Sequence, residues 1–188
     1  KSLSNTCSFK EVFVQAAQTA LADENIAQKK QSLLSNGYQT SGNLFVTDTH
    51  FSKEVKDIIL MEVENYHKLF ENSAEGFIKD WPGDYYIYGW IVSMKSGGVI
   101  HPHIHEAGWI SGSVYINIPQ DCSGDNGNLV VSMTEGTNSV DQRKKEVEKI
   151  IDVKTGSLCL FPSSLLHHTI PFVSKEDRIV LAFDIVPT

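Results

Sequence analysis

The densest chemistry in this sequence is a run of alternating histidines, His101-Pro-His103-Ile-His105. Imidazole nitrogen is a good donor to divalent first-row metals. In an extended strand alternate side chains face the same way, so His103 and His105 can converge on one point. Metal–nitrogen and metal–oxygen bonds need donors within roughly 2.0–2.2 Å of that point. The third donor must come from elsewhere in the chain. His167, which follows Phe161-Pro-Ser-Ser-Leu-Leu and opens a late strand, is the obvious one. His101 shares the face of His103 but lies further up the strand, toward the mouth of any site. His168 should turn away from His167 on a regular strand, as a packing or hydrogen-bonding group. A lone histidine is more often a surface residue or a satisfied network partner; convergence from two segments favours a ligand set.

Arg178 carries the second chemical signal. It lies eleven residues beyond His167 and opens the run Arg178-Ile-Val-Leu-Ala-Phe-Asp184. Projecting inward from a buried strand, a guanidinium needs an anionic partner, and its planar fork fits a carboxylate with two parallel bonds. The bland alternative is a strand-end arginine that reaches solvent or pairs with Glu176 or Asp177.

These residues need strands to position them, and the sequence supplies strand patterns after Pro82-Gly83. Aromatic and β-branched residues mark Tyr85–Met94, which Gly97-Gly98 is expected to end. Further strands are expected at Trp109–Ile118, Asn128–Met133, Val147–Val153, Ser157–Phe161, His167–Phe172 and Arg178–Val186, separated by turn-forming residues. Before them the chain reads as helical. Phe9, Val12, Val14, Ala17 and Leu21 have loosely helical spacing, and turns are expected at Asn36-Gly37 and Ser41-Gly42. Phe51, Val55, Ile58, Ile59, Val63, Tyr66, Leu69 and Phe70 form the apolar face of a second helix, capped by Ser52 or Thr49 and ending near Asn72-Ser73. Two helices followed by about seven short strands predict an α+β domain, mainly β, built as a jelly roll with the N-terminal helices packed on the sheet. Residues 1–83 are read as a helical support region of the same domain and residues 84–188 as its catalytic core. Residues 134–149 are polar and charged, an excursion that is either a solvated loop or a lid near the site.

The pattern as a whole resembles the 2-oxoglutarate/Fe(II) oxygenases, especially their prolyl-hydroxylase-like branch and its H-x-H subgroup. The resemblance covers about residues 84–186. It rests on Tyr88-Gly-Trp90-Ile-Val-Ser-Met94, His103-Ile-His105, Trp109-Ile-Ser-Gly-Ser-Val-Tyr-Ile-Asn117, Gly127-Asn-Leu129, Gly156-Ser-Leu-Cys-Leu-Phe-Pro-Ser163, His167 to Pro171 and Arg178 to Asp184. It implies a double-stranded β-helix fold. It also implies oxidative decarboxylation of 2-oxoglutarate coupled to oxidation of a substrate C–H bond. His103 matches the first ligand to Fe(II), His167 the distal one, and Arg178 the clamp on the co-substrate 2-oxoglutarate. Tyr115 matches a tyrosine that bonds the 2-oxoglutarate carboxylate, with Ser111 on the same strand face. One departure stands out: the family pattern has H-x-D/E, and this chain has His105 at the acidic position. Three histidines carry one negative charge less than two histidines and a carboxylate, which makes zinc or copper more competitive. Glu106, next in sequence, reaches the metal only if the strand bends. The same histidines also suit a cupin-like three-histidine dioxygenase or a zinc enzyme that does not use 2-oxoglutarate. The cupin signature fits in part, through Gly97, Gly156 and Pro162, but Ser164 and Pro171 depart from it. A jelly-roll binding module with incidental histidines is the non-enzymatic alternative.

Composition narrows the partners. The net charge of −7 argues against a nucleic-acid partner held by bulk electrostatics. No apolar stretch approaches the roughly 20 residues of a membrane span, and the N-terminus has no signal-peptide pattern. A start at Lys1 fits a processed form or an excised domain. Cys7, Cys122 and Cys159 are sparse, odd in number and far apart, which suits a reducing cytoplasm. Cys159, in an apolar run, reads as a small buried hydrophobe. The expected substrate is a small molecule or a protein side chain, and the sequence does not fix which.

Overall fold

The computed structural model describes residues 9–46, 53–133 and 147–188. Alternation of side chains sets the architecture. In the strand Arg178–Pro187 the odd-numbered positions Ile179, Leu181, Phe183 and Ile185 turn to one side, and the last three are fully buried. Arg178, Val180, Ala182 and Asp184 turn to the other. One face therefore packs on helices and the other faces a cavity.

The strands, numbered along the chain, are β1 (Gln28–Lys29), β2 (Leu34–Thr40), β3 (Tyr85–Ile100), β4 (Ile110–Asn117), β5 (Leu129–Met133), β6 (Val147–Ile151), β7 (Leu158–Pro162), β8 (Leu166–Thr169) and β9 (Arg178–Pro187). A six-stranded antiparallel sheet has the order β1-β2-β3-β9-β4-β7, and a three-stranded antiparallel sheet the order β6-β5-β8. The two sheets meet through Tyr115, Phe161 and Val180 from the larger and Leu129 from the smaller. This is the expected double-stranded β-helix.

The outer face of the large sheet carries the helices. The first begins as a π-helical turn, Lys10–Val14, and continues as α1 (Gln15–Ala22). The extra residue in that turn explains the loose spacing: the buried face is Phe9, Phe13, Ala17 and Ala20, while Val12, Val14 and Leu21 sit at its margins. Helix α2 (Lys53–Phe70) buries Val55, Ile59 and Val63 against the same core, but Leu69 and Phe70 are exposed. The cap candidates Thr49 and Ser52, and Phe51, lie outside the described residues. A short α3 (Gly76–Lys79) follows and stacks Phe77 on Trp109 at 5.5 Å. Among the described residues no helix is long and apolar enough to cross a membrane.

Two glycine-marked ends turn out to be one irregularity. Asn36-Gly37 does not end a segment; it lies inside β2, and β3 runs through Gly97-Gly98 to Ile100. The β2–β3 register jumps from Ser35↔Val99 to Gly37↔Met94, so residues 95–98 bulge from β3. Asn36 (φ 50°) and Gly97 (φ 75°) absorb the bulge in left-handed conformations. Strand β1 is a two-residue polar edge with both side chains exposed, so no hydrophobic alternation announced it. The region before residue 84 thus adds strands as well as helices.

Candidate active site

The H-x-H segment is not on a regular strand. It forms the connection between β3 and β4 and is pinned to the β7–β8 region by backbone bonds. His103 N–H donates to the His167 carbonyl (3.1 Å), His167 N–H to the His103 carbonyl (3.0 Å), and His105 N–H to the Ser163 carbonyl (3.0 Å). This isolated bridge brings in the donor that had to come from elsewhere in the chain: it puts His103 and His167 side by side. Their ring centroids are 4.2 Å apart.

The ligating atoms of His103, His105 and His167 all lie within 4.8 Å of one another. Each ring is held from behind by its Nδ1. His103 Nδ1 donates to the His101 carbonyl (2.8 Å) and His167 Nδ1 to the Leu165 carbonyl (2.9 Å). His105 Nδ1 donates to Asp184 Oδ1 at 2.7 Å. With the protons on Nδ1, every Nε2 presents a bare lone pair to the cavity. The Nε2 atoms of His103 and His105 are 3.1 Å apart. Two bare lone pairs at that distance repel unless a cation lies between them. Two donors set at right angles around a metal, each at about 2.1 Å, stand roughly 3 Å apart. The donor set therefore fits a metal ion. Burial, the largest cause, lowers the pKa of His103 and takes that of His167 down to about 3, so both rings are neutral and ready to ligate at pH 7.

The other end of the cavity is cationic. Arg178 is 3% exposed; its Nε–H donates to the Gly127 carbonyl (3.0 Å), and its Cζ lies 5.4 Å from the Tyr115 ring centroid. Burial pulls its pKa down, with Tyr115 opposing, but an arginine remains charged throughout the physiological range. Among the described residues the ion pairs are Lys68–Glu64, His105–Asp184 and Lys154–Asp152, and none involves Arg178. Tyr115 is 1% exposed; its hydroxyl meets the Cys159 thiol, and burial drives its pKa far above the usual tyrosine range, keeping it a neutral phenol. The three histidines, Ser111, Tyr115 and Arg178 line one cavity of about 90 Å³.

A family model described as "Putative 2OG-Fe(II) oxygenase" matches residues 88–184, just over half of the chain. The chain belongs to the 2OG-Fe(II) oxygenases. No curated protein matches the sequence. Solved structures share its fold at low identity. A Pseudomonas putida prolyl-4-hydroxylase is 13% identical, with a TM-score of 0.60 over 93% of this chain and 86% of that one. A Trichoplax adhaerens prolyl hydroxylase, in complex with a hypoxia inducible factor oxygen degradation domain peptide fragment, is 15% identical (TM-score 0.61; 96% and 79%). HygX from Streptomyces hygroscopicus, with nickel and 2-oxoglutarate bound, is 13% identical (TM-score 0.56; 93% and 78%).

The remaining candidates of this oxygenase fall outside the histidine set. His101 is exposed, with Nε2 3.2 Å from Ser35 Oγ. His168 neighbours the group without joining it, and Glu106 is exposed. Ser111 Oγ is turned to Asp184 Oδ1 (2.7 Å) and Ser163 Oγ (2.9 Å). Asp184 and Ser163 were not singled out in the sequence. The signal for Asp184 was nonetheless present, since it shares parity with Arg178 along one strand. The excursion at residues 134–149 lies outside the described residues except for Val147–Lys149, which belong to β6.

Proposed function

We propose that His103, His105 and His167 hold the Fe(II) of this oxygenase, and that Arg178 with Tyr115 holds the distal carboxylate of 2-oxoglutarate. The observation that carries this reading is the buried Arg178, without an acidic partner among the described residues, in the same cavity as three imidazoles whose Nε2 atoms are bare. Bound there, Fe(II) and 2-oxoglutarate supply the redox chemistry, in which O2 is consumed, 2-oxoglutarate gives succinate and CO2, and a substrate C–H bond is oxidised.

The chain's own part is placement and exclusion of water. The neutral imidazoles of His103 and His167 donate lone pairs without first losing a proton. The guanidinium offers two parallel N–H bonds to a carboxylate, and the neutral Tyr115 hydroxyl adds a donor. Ser111 stands on the same strand face between the two ends, its hydroxyl serving the Asp184 side. Trp90 closes the wall beside His105, with ring centroids 5.6 Å apart. Past Trp90 and His105 a second cavity of about 300 Å³ opens toward solvent, lined by Lys29, Gln31, Gln39, Tyr88 and Glu106 among others. This polar recess is the entry for the substrate, a small polar molecule or a protein side chain.

The test is anaerobic titration of the Fe(II)-loaded protein with 2-oxoglutarate, following the visible metal-to-ligand charge-transfer band. The band is expected in the wild type and lost or greatly weakened in Arg178→Ala. Bound metal with no band in the wild type would overturn the reading in favour of three-histidine chemistry that does not use 2-oxoglutarate.

A further inference from the structure

Three imidazoles are neutral donors, so an iron(II) centre built from them keeps its full positive charge. A carboxylate nevertheless stands one bond beyond the ligands. Asp184 Oδ1 lies 2.7 Å from His105 Nδ1, and the Asp184 side chain is only 13% exposed. The other two histidines have no such partner; their Nδ1 protons go to the main-chain carbonyls of His101 and Leu165. The one imidazole with an anionic acceptor is thus His105, which occupies the position where the H-x-D/E pattern has its acid.

The carboxylate is itself fixed. Ser111 Oγ lies 2.7 Å from Asp184 Oδ1, and Ser163 Oγ lies 2.9 Å from Ser111. Gly108 lets the His105 loop close down on this group. A Cβ there would fall 2.5 Å from Ser163 Oγ and 3.3 Å from Asp184 Cγ. A carboxylate that accepts the Nδ1 proton fixes the tautomer, aims Nε2 and makes it a more basic ligand. It also places a negative charge a few ångströms from the metal.

We propose that Asp184 is a positioning residue of the metal centre, supplying through His105 the negative charge that the H-x-D/E pattern places directly on the metal. This inference rests on the assignment of His103, His105 and His167 as the iron ligands. In chemical terms the acid and the ligand have been separated by one imidazole ring.

The test uses Asp184→Asn, which keeps the size of the side chain and an acceptor oxygen but removes the charge. Fe(II) affinity is measured anaerobically by competition with a chromogenic chelator, the charge-transfer band is recorded with saturating 2-oxoglutarate, and circular dichroism monitors the fold. Asp184→Asn is expected to weaken Fe(II) binding about 10- to 100-fold. Its band is expected at shorter wavelength, because a less electron-rich metal gives up charge to 2-oxoglutarate less readily. The double variant His105→Asp/Asp184→Asn returns the carboxylate to the metal and is expected to recover Fe(II) affinity to within tenfold of the wild type. A folded Asp184→Asn with wild-type affinity and an unmoved band overturns the proposal and leaves the ligand assignment intact. Where the single variant does not fold, a folded double variant that takes up no Fe(II) overturns it. A wild-type protein that takes up no Fe(II) overturns the ligand assignment as well.

Discussion

Arg178 and Asp184 stand on the same face of β9, six residues apart, so a cation and an anion mark the two ends of one strand face. At about 3.3 Å per residue their Cα atoms are roughly 20 Å apart. Between them only Val180 and Ala182 face the cavity. Strand β9 is paired on both sides, with β3 and with β4, so neither end can slip in register. The strand face thus runs from a cation at Arg178, in the cavity, to an anion at Asp184, which holds the His105 ring from behind.

The shape of the Arg178 side chain matters as well as its charge. Arg178→Lys keeps a cation but loses the fork and the Nε–H bond to Gly127. The expected outcome is a dissociation constant for 2-oxoglutarate about tenfold higher, with Fe(II) affinity unchanged, read by the same anaerobic titration. An affinity equal to that of the wild type would reduce Arg178 to a point charge.

Metal content separates ligands from neighbours. His103→Ala and His167→Ala are each expected to abolish stoichiometric Fe(II) uptake, because two imidazoles remain where three converged. His101→Ala is expected to retain it, since its side chain contacts Ser35 at the surface. Elemental analysis of anaerobically loaded protein gives the answer directly. Loss of metal from His101→Ala would require a different ligand set.

The helices, most strands and the three histidines were legible because they follow from periodicity or from residue type. Two parts were not. The β2–β3 bulge hid behind Asn36-Gly37 and Gly97-Gly98, because the residues that end a strand are also those that let one bulge. Asp184 hid because nothing local marks it. Its partner His105 is 79 residues away and meets it only when the β3–β4 connection folds over β9. Long-range pairing is where a sequence pattern is weakest; the residue's parity with Arg178 was its one trace.

Acid should destabilise the metal-free protein. The ordinary histidine pKa is about 6.5, and burial holds His167 near 3 in the folded state and lowers His103 as well. Below pH 6.5 the unfolded chain binds protons that the folded chain refuses, so stability falls as pH falls, down to about pH 3. The midpoint of urea unfolding for the metal-free protein is expected to decrease steadily from pH 7 to pH 4. His167→Gln should show a shallower decrease. A midpoint independent of pH over this range would mean that these rings gain protons as readily folded as unfolded.

The closest packing beside the site is between Gly112 of β4 and Phe183 of β9, which face each other in register. A Cβ on Gly112 would fall 2.1 Å from the Phe183 ring, and Phe183 is fully buried between the sheet and the helices. Gly112→Ala therefore forces ring or strand to move, at a cost of about 1–3 kcal/mol or more. For a domain of this size that lowers Tm by roughly 2–4 °C per kcal/mol. Gly42→Ala is the matched control. Its Cβ meets nothing within 4 Å, so only the left-handed backbone (φ +81°) is strained, for about 1–2 kcal/mol. Thermal unfolding should rank Gly112→Ala below Gly42→Ala. Gly112 lies beside Ser111, and Phe183 beside Asp184, so a shift between these strands also pulls on the Asp184 carboxylate that accepts from His105 Nδ1. Gly112→Ala should accordingly bind Fe(II) more weakly, while Gly42→Ala binds it as the wild type does. Equal stability in the two variants would show that Phe183 has room to move that the packing denies it.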